Sequence, residues 1–291
     1  MPPIRDIDEL VELHKREGAA LQEVFVEGRE DKYFYESFLA ENGLRHVAVL
    51  EVETVDVPDR EVVRLGLAIG KKGRVVTLAA LLEGRLSENE LVCVADADLD
   101  HFKGIVYAYS LLLITDYTSI ELYALCPSVM GRILGVALGG FPKGYAEVVV
   151  EIAKLLEDSF LIRVAAHDLG LAPTYPDEHS SHCKFDKRKK TASFRPVDYI
   201  NKAFENYVDK SWRAPMKAQI AERRGQLKPE VRLQIHGHDF VDTLAWYIRQ
   251  HAGFGHINPA TFGGMLLGSV DAATLATEPL FRELLRRLRA A

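Results

Sequence analysis

Two acidic stretches of the sequence each follow an apolar run. In the first, VFVEGREDKYFYESFL, the apolar run ends at Glu27, and Asp31 lies one helical turn further on. In the second, LVCVADADLDHF, the apolar run is followed by Asp96 and Asp98. Ligands of open parallel sheets gather at the carboxyl ends of the strands. If the two runs form neighbouring strands, these carboxylates meet at one edge of a sheet.

Carboxylates that share one site repel one another and raise each other's pKa. A divalent cation removes this conflict, because Mg²⁺ takes oxygen ligands and favours a few carboxylates together with water or phosphate oxygens. The four carboxylates are therefore candidate Mg²⁺ ligands, with Mn²⁺ as an alternative ion. Gly28 would allow a tight turn and the close approach of a phosphate. The competing interpretation is that acidic residues after strands serve as helix N-caps or ordinary surface residues.

Apolar runs alternate with helical periodicities through the first part of the chain. Strands are predicted at residues 21–26, 46–52, 91–95 and 111–115, and helices at 4–16, 31–42, 60–69 and 74–86, with a further helix from Ser119. The run LVCVA is apolar throughout, which is typical of a strand covered on both faces. This alternation predicts an α/β domain with a mainly parallel sheet.

Strand patterns fade after residue 127. Helices are predicted at residues 145–156, 197–207, 214–224, 239–250 and 280–289, and residues 173–195 read as a loop rich in His, Ser and Lys. We therefore expect a metal-binding domain at residues 1–130 and a mostly helical C-terminal extension at residues 131–291.

Positive charge is concentrated in one segment of an acidic protein. The chain carries a net charge of −6, but residues 181–232 contain 14 Lys and Arg against 6 Asp and Glu. Such a segment beside a metal site suits the binding of a polyanion. The candidate phosphate-binding residues are Lys184, Lys187, Arg188, Lys189 and Lys190, with Lys103 as a further candidate near the Asp-x-Asp stretch. The alternative is a solvated loop with a chance bias in charge.

The composition argues against several classes of protein. The longest apolar runs, such as residues 78–82 and 111–114, are too short to span a membrane. The acidic, amphipathic segment MPPIRDIDEL is unlike a signal peptide. Three widely spaced cysteines give no disulfide framework and favour a reducing cytoplasm. No Walker A pattern occurs, so the chain itself is not expected to bind ATP.

The two acidic stretches together resemble a TOPRIM domain, the metal-binding α/β fold of topoisomerases, primases, recombination proteins and OLD-family nucleases. The pattern of that family is a glutamate after the first strand and an Asp-x-Asp after a later strand. In this sequence those positions are Glu27, Asp96 and Asp98. Asp31 is similar to the second acid of the Glu-x-x-x-Asp version found in OLD nucleases.

Two later stretches resemble a subgroup of stand-alone TOPRIM-like proteins. ITDYTSIELYAL, which contains Glu121, is similar to their Thr-x-x-x-Ser-Ile-Glu-x-Tyr element, and IHGHDFVDTLAW to their Gly-His-Asp stretch. The subgroup includes the nuclease effector of PARIS-type anti-phage systems, which works with an ABC-type ATPase. The resemblance is strong over residues 21–125 and thin after that.

The resemblance implies a Rossmannoid sheet of TOPRIM type and Mg²⁺-dependent cleavage of DNA or RNA phosphodiesters. It assigns catalysis to Glu27, Asp96 and Asp98, and a second metal site to Glu121, which is equally well explained as a surface residue of a helix. It also implies a cytoplasmic nuclease of antiviral defence with an ABC-type ATPase partner. A homodimer is a candidate assembly.

Two His-containing stretches have weaker interpretations. His238 is a candidate phosphate contact or proton donor, and the neighbouring Asp239 is a candidate N-cap for the helix that follows. His179, His182 and Cys183 supply too few ligands for a tetrahedral zinc site.

Two rival functions fit the same acidic residues. A non-catalytic module of TOPRIM type would keep the fold and bind an ATPase partner or nucleic acid. A phosphotransfer domain with an acidic pocket would need a Ser or Thr and a Lys at later strand ends. Thr115 is available for that role, but no accompanying strand-end lysine is evident.

Overall fold

The structure is a computed structural model that describes residues 4–251, 254 and 257–290. The chain folds into two units. The first takes in the residues up to Asp100, then Gly104–Ile120, and finally the segment from Val270 onward. The second takes in His101–Lys103 and Glu121–Ser269. The division therefore differs from the one expected at residue 130, because the C-terminal segment belongs to the first unit.

The strands of the described residues are β1 (Glu23–Val26), β2 (Ala48–Glu51), β3 (Leu91–Ala95), β4 (Leu112–Ile114), β5 (Cys183–Asp186) and β6 (Thr191–Phe194). The helices are α1 (Ile7–Glu17), α2 (Arg29–Glu41), α3 (Asp59–Arg64), α4 (Lys71–Leu82), α5 (Asp100–Lys103), α6 (Pro127–Arg132), α7 (Tyr145–Asp168), α8 (Pro196–Ala203), α9 (Arg213–Arg224), α10 (Gly237–Arg249), α11 (Pro259–Gly268), α12 (Ala272–Leu275) and α13 (Pro279–Leu288). None of the helices described is both long enough and apolar enough to cross a membrane.

The first unit is built on a parallel sheet with the strand order β2-β1-β3-β4. Phe25 of β1 is in register with Leu50 of β2 on one side and with Cys93 of β3 on the other. All five residues of β3 are buried, as the apolar run LVCVA predicts. The expected α/β class and mainly parallel sheet are thus confirmed; β3 has the predicted bounds, and β1, β2 and β4 are shorter than predicted.

The C-terminal helix α13 packs on the first unit through an aromatic cluster. Phe281 stacks on Tyr35 with a centroid separation of 5.6 Å and meets Phe38 edge-on at 4.7 Å. The side-chain amide of Gln22 donates a hydrogen bond of 3.0 Å to the carbonyl of Leu288. Hydrophobic periodicity predicts that α13 exists, but it carries no information about which unit will bury the apolar face.

The second unit is mainly helical, and α7 packs against both α9 and α10. The prediction of a loop at residues 173–195 is wrong in part, because β5 and β6 form an antiparallel hairpin within it. Phe185 packs edge-on against Trp246, and Phe194 stacks on His179 at 4.6 Å. Each strand has four residues, so its alternation is too short to stand out from the surrounding charge.

The helix expected from Ser119 is a short 3₁₀ helix, Ile120–Ala124. Every residue from Tyr117 to Leu125 is buried. A segment buried on all sides has no polar face, so the one-sided pattern of an amphipathic helix cannot describe it.

Candidate functional site

Glu27 and Asp96 lie side by side at the carboxyl edge of the sheet. Glu27 follows β1 and Asp96 follows β3, and these strands are parallel neighbours. A carboxylate oxygen of Glu27 accepts a hydrogen bond of 2.8 Å from the backbone N–H of Asp96. The end of one strand is therefore tied to the end of the next through the acidic side chain itself.

The carboxyl group of Glu27 is strongly perturbed. Burial, followed by the negative charges of Asp98 and Asp31, raises its pKa to about 8. The hydrogen bond from Asp96 and the positive charge of Lys72 oppose this shift without cancelling it. Glu27 consequently holds a proton at neutral pH when no cation is bound.

Asp31 lies in the first turn of α2 and faces back toward the strand end. Its carboxylate accepts a hydrogen bond of 2.8 Å from the backbone N–H of Gly28, which satisfies one donor at the start of the helix. The chain bends at Glu27 and Gly28, and Gly28 has an extended backbone with φ of −149°, which does not require glycine. A methyl group there would approach Asp31 and the Lys71 ammonium at ordinary contact distances of 3.4 and 3.5 Å.

Lys72 provides the positive charge at this edge, and the sequence interpretation did not identify it. Its ammonium lies 3.3 Å from a carboxylate oxygen of Asp98 and 2.8 Å from one of Asp100. It also donates a hydrogen bond of 2.8 Å to the carbonyl of Ala97. Burial by itself would lower the pKa of Lys72, but the two aspartates outweigh burial and raise it.

Once the start of α4 is known, its sequence contains a signal for Lys72. Lys71 and Lys72 occupy the first turn of α4, which contains no acidic residue. Cations are disfavoured at a helix N-terminus because the helix dipole is positive there. Two lysines in that position indicate that acidic groups from elsewhere in the fold compensate them.

The loop after β3 is held in a fixed shape. Asp98 has φ of 50°, in the left-handed region that residues other than glycine rarely adopt. Its backbone N–H donates a hydrogen bond of 2.7 Å to the carbonyl of Thr118. The hydroxyl of Thr115 accepts a hydrogen bond from the Ala97 N–H at 2.8 Å and donates one to the Tyr117 carbonyl at 2.7 Å. These bonds position the Asp98 carboxylate beside Lys72.

The donor chemistry of this edge fits a hard cation. Glu27, Asp31, Asp96 and Asp98 offer carboxylate oxygens, which Mg²⁺ and Mn²⁺ prefer. Glu27 is half-buried, and a carboxyl that retains its proton at neutral pH marks a place where positive charge is lacking. In residues 4–251, 254 and 257–290, however, no three His, Cys, Asp or Glu side chains are arranged to hold one metal ion together. In this state the compensating charges include the proton on Glu27 and the ammonium of Lys72.

Glu121 and His238 meet in the second unit. Glu121 is buried in the 3₁₀ helix, and one of its carboxylate oxygens lies 3.2 Å from Nδ1 of His238. The His238 side chain is 77% exposed. The structure thus pairs two residues that the sequence interpretation proposed separately, one as a metal ligand and the other as a phosphate contact.

Asp239 does not cap α10, so that prediction is wrong. The helix begins at Gly237, and no side-chain hydrogen bond caps it. The Asp239 carboxylate instead binds the guanidinium of Arg163 at 3.0 Å. Burial alone would raise the pKa of Asp239, but Arg163 and His236 hold it well below its usual range.

The predicted phosphate-binding residues divide into two kinds. Five of them lie on the β5–β6 hairpin, are exposed, and take part in no ion pair within the described part of the chain: Lys184, Lys187, Arg188, Lys189 and Lys190. Lys103 belongs to the second unit and is neutralised by Asp168, whose carboxylate lies 3.0 Å from its ammonium. The hairpin therefore presents uncompensated positive charge, whereas Lys103 does not.

The stretch with His179, His182 and Cys183 has the character of a core. His179 is fully buried, and its Nδ1 is 2.8 Å from the hydroxyl of Thr243. Burial lowers the pKa of His179 to about 4, so the ring is neutral. Its stacking on Phe194 gives it a packing role in the second unit.

The chain matches no protein-family model. A search of curated proteins likewise returns no significant match.

Proposed function

We propose that this protein is a TOPRIM-like, Mg²⁺-dependent nuclease that cleaves DNA or RNA phosphodiesters at the carboxyl edge of its parallel sheet. The observation that carries the proposal is the hydrogen bond between Glu27 and Asp96, because it joins the acidic ends of two adjacent parallel strands. The proposal is supported by the raised pKa of Glu27, since perturbed carboxyl groups concentrate at functional sites.

The residues of the edge have separable roles in this proposal. Glu27, Asp31, Asp96 and Asp98 would hold Mg²⁺, which when bound supplies the Lewis acid for phosphodiester hydrolysis. The backbone N–H of Gly28 fixes Asp31, and Lys72 holds the carboxylates of Asp98 and Asp100. Glu27 keeps its proton in the cation-free protein, so in that state it cannot accept a proton from water. It would have to lose this proton to serve as a metal ligand.

The hairpin is proposed to bind the phosphate backbone of the nucleic acid. Its cations are exposed and are not neutralised by acidic neighbours in the described residues, so they are available to polyanions. Contacts of this type are independent of base sequence and weaken with salt. They do not distinguish DNA from RNA.

The biological setting is proposed from the sequence resemblance. An effector of anti-phage defence would be cytoplasmic and would act with an ABC-type ATPase. That partner would supply the nucleotide chemistry, because the chain carries no Walker A pattern.

A non-catalytic role is the second candidate, and Lys72 favours it. An ammonium group that pairs with Asp98 and Asp100 neutralises these carboxylates without any metal ion. Such a module would keep the fold and bind an ATPase partner or nucleic acid. A phosphotransfer role has less support, because the Thr115 hydroxyl already bonds to the Ala97 N–H and the Tyr117 carbonyl.

The test is cleavage of a panel of DNA and RNA substrates by the full-length chain with Mg²⁺ or Mn²⁺. The panel is run with the protein expressed alone and co-expressed with a candidate ATPase. A nuclease loses activity in the Asp96→Ala/Asp98→Ala double variant and in Glu27→Gln, while Glu30→Gln, an exposed carboxylate nearby, retains it. A non-catalytic module shows no cleavage, whether it is expressed alone or together with the ATPase, and its cellular phenotype survives Glu27→Gln. Acyl-phosphate labelling at Asp96 would instead establish phosphotransfer.

A further inference from the structure

Tyr35 lies directly behind the acidic edge. It is one turn after Asp31 on α2, so the two side chains share a face of the helix. Its ring is packed between Phe34, at a centroid distance of 5.7 Å, and Phe281, at 5.6 Å. Only 1% of the residue is exposed to solvent.

The hydroxyl group of Tyr35 is not explained by this packing. Within the described residues it has no hydrogen-bond partner. A buried hydroxyl without a partner is destabilising, and such groups are few in native proteins. A phenylalanine would fill the same aromatic pocket without that cost.

The pKa of Tyr35 is influenced by the carboxylates of the acidic edge. After burial, the groups that raise its pKa are all carboxylates of the first unit, in the order Asp96, Asp31, Asp116 and Glu27. The hydroxyl therefore stays protonated and remains available as a hydrogen-bond donor. Since the side chain is buried, it cannot reach a phosphodiester to act as a nucleophile.

We infer that Tyr35 is a positioning residue whose hydroxyl donates a hydrogen bond to the Asp96 carboxylate when that carboxylate turns to hold a divalent cation. The inference rests on the proposed function of the acidic edge. A carboxylate ligand uses one oxygen for the metal ion and is oriented by a hydrogen bond to the other. Tyr35 is the donor that the fold holds ready for this bond, and its unpartnered state belongs to the cation-free form.

The test compares Tyr35→Phe with the wild-type chain, because this change removes the hydroxyl and keeps the ring. Affinity for Mn²⁺ is measured from the electron paramagnetic resonance signal of the free ion, and affinity for Mg²⁺ by competition. Loss of an orienting partner of a metal ligand lowers metal affinity by about 10- to 100-fold. Thermal unfolding of the cation-free protein should be unchanged or shifted to higher temperature. Tyr199→Phe, at a fully buried tyrosine of the second unit, is the control and should leave Mn²⁺ affinity unchanged.

A spectroscopic measurement follows the hydroxyl itself. In protein labelled with ¹³C at the tyrosine ζ carbon, the Tyr35 resonance, assigned by its loss in Tyr35→Phe, should shift as Mg²⁺ is added. A purely structural tyrosine would show no such shift.

The outcomes separate this inference from the proposed function. If the wild-type chain binds Mn²⁺ and Tyr35→Phe binds it equally well, the role of Tyr35 is refuted and the metal site stands. An equal loss of affinity in Tyr199→Phe, or a less stable cation-free Tyr35→Phe, also refutes that role. If the wild-type chain binds neither ion at millimolar concentration, both the metal site and the role of Tyr35 fall.

Discussion

Replacing Glu27 by glutamine should change the way the stability of the first unit depends on pH. The pKa of Glu27 is 4.5 in a model compound and about 8 in the folded protein without a cation. The folded state therefore holds this proton more tightly than the unfolded state does. The resulting stabilisation is fully present below pH 4.5 and is lost as the pH rises to about 8.

The size of the effect follows from the shift. Each pKa unit corresponds to about 1.4 kcal/mol. A rise in pH from 4.5 to about 8 therefore lowers the free energy of unfolding of the cation-free protein by on the order of 5 kcal/mol. Glutamine cannot ionise, and its oxygen can still accept the hydrogen bond from the Asp96 N–H. The advantage of Glu27→Gln over the wild type should therefore grow by several kcal/mol between pH 5 and pH 9.

Hydrogen exchange of the amides of β1 and β3, in a metal chelator, is the suitable assay. Both tryptophans, Trp212 and Trp246, belong to the second unit, so their fluorescence would not report on the sheet. Glu30→Gln, which removes an exposed carboxylate from α2, should follow the wild-type pH dependence. If the stability difference between Glu27→Gln and the wild type is the same at pH 5 and pH 9, the argument for a half-buried, protonated Glu27 is refuted.

Three further predictions concern Lys72, the hairpin and α13. Lys72→Met leaves Asp98 and Asp100 without their counter-charge and should destabilise the cation-free first unit by about 3 kcal/mol, measured by thermal unfolding. Adding Mg²⁺ should restore part of this stability. An unchanged stability would contradict the pairing. Replacing the three hairpin-turn cations at residues 187–189 by glutamine should weaken the salt dependence of duplex binding, measured by fluorescence anisotropy. The slope of log K against log[salt] should fall in magnitude by about 3. The control Arg195→Gln/Lys202→Gln, at two residues paired with acids, should change this slope less. Phe281→Ala should cost about 3 to 5 kcal/mol in hydrogen exchange of β1 and β3, and an unchanged value would mean that α13 does not stabilise the sheet.

The sequence was sufficient to predict the sheet and its acidic edge. Continuous apolar runs identified β1 and β3 as buried strands, and parallel strands bring their carboxyl ends to one edge of a sheet. The proximity of Glu27 and Asp96 follows from that rule together with the adjacency of their strands.

Lys72, Tyr35 and the hairpin were missed for different physical reasons. The pairing of Lys72 depends on where the start of α4 lies in space, and sequence periodicity reports only which face of a helix is apolar. Tyr35 occupies an aromatic position of α2, and only the structure shows that its hydroxyl lacks a partner. The hairpin strands have four residues each, too few for alternation to be recognised amid lysines.

The assignment of α13 to the first unit bears on synthesis of the protein by the ribosome. The aromatic side chains of α2 pack on Phe281, which is translated after the whole of the second unit. A nascent polypeptide that has emerged only as far as residue 269 lacks this support, although Glu27 and Asp96 are both already made. The aromatic cluster on α2 is therefore completed only after α13 has been translated.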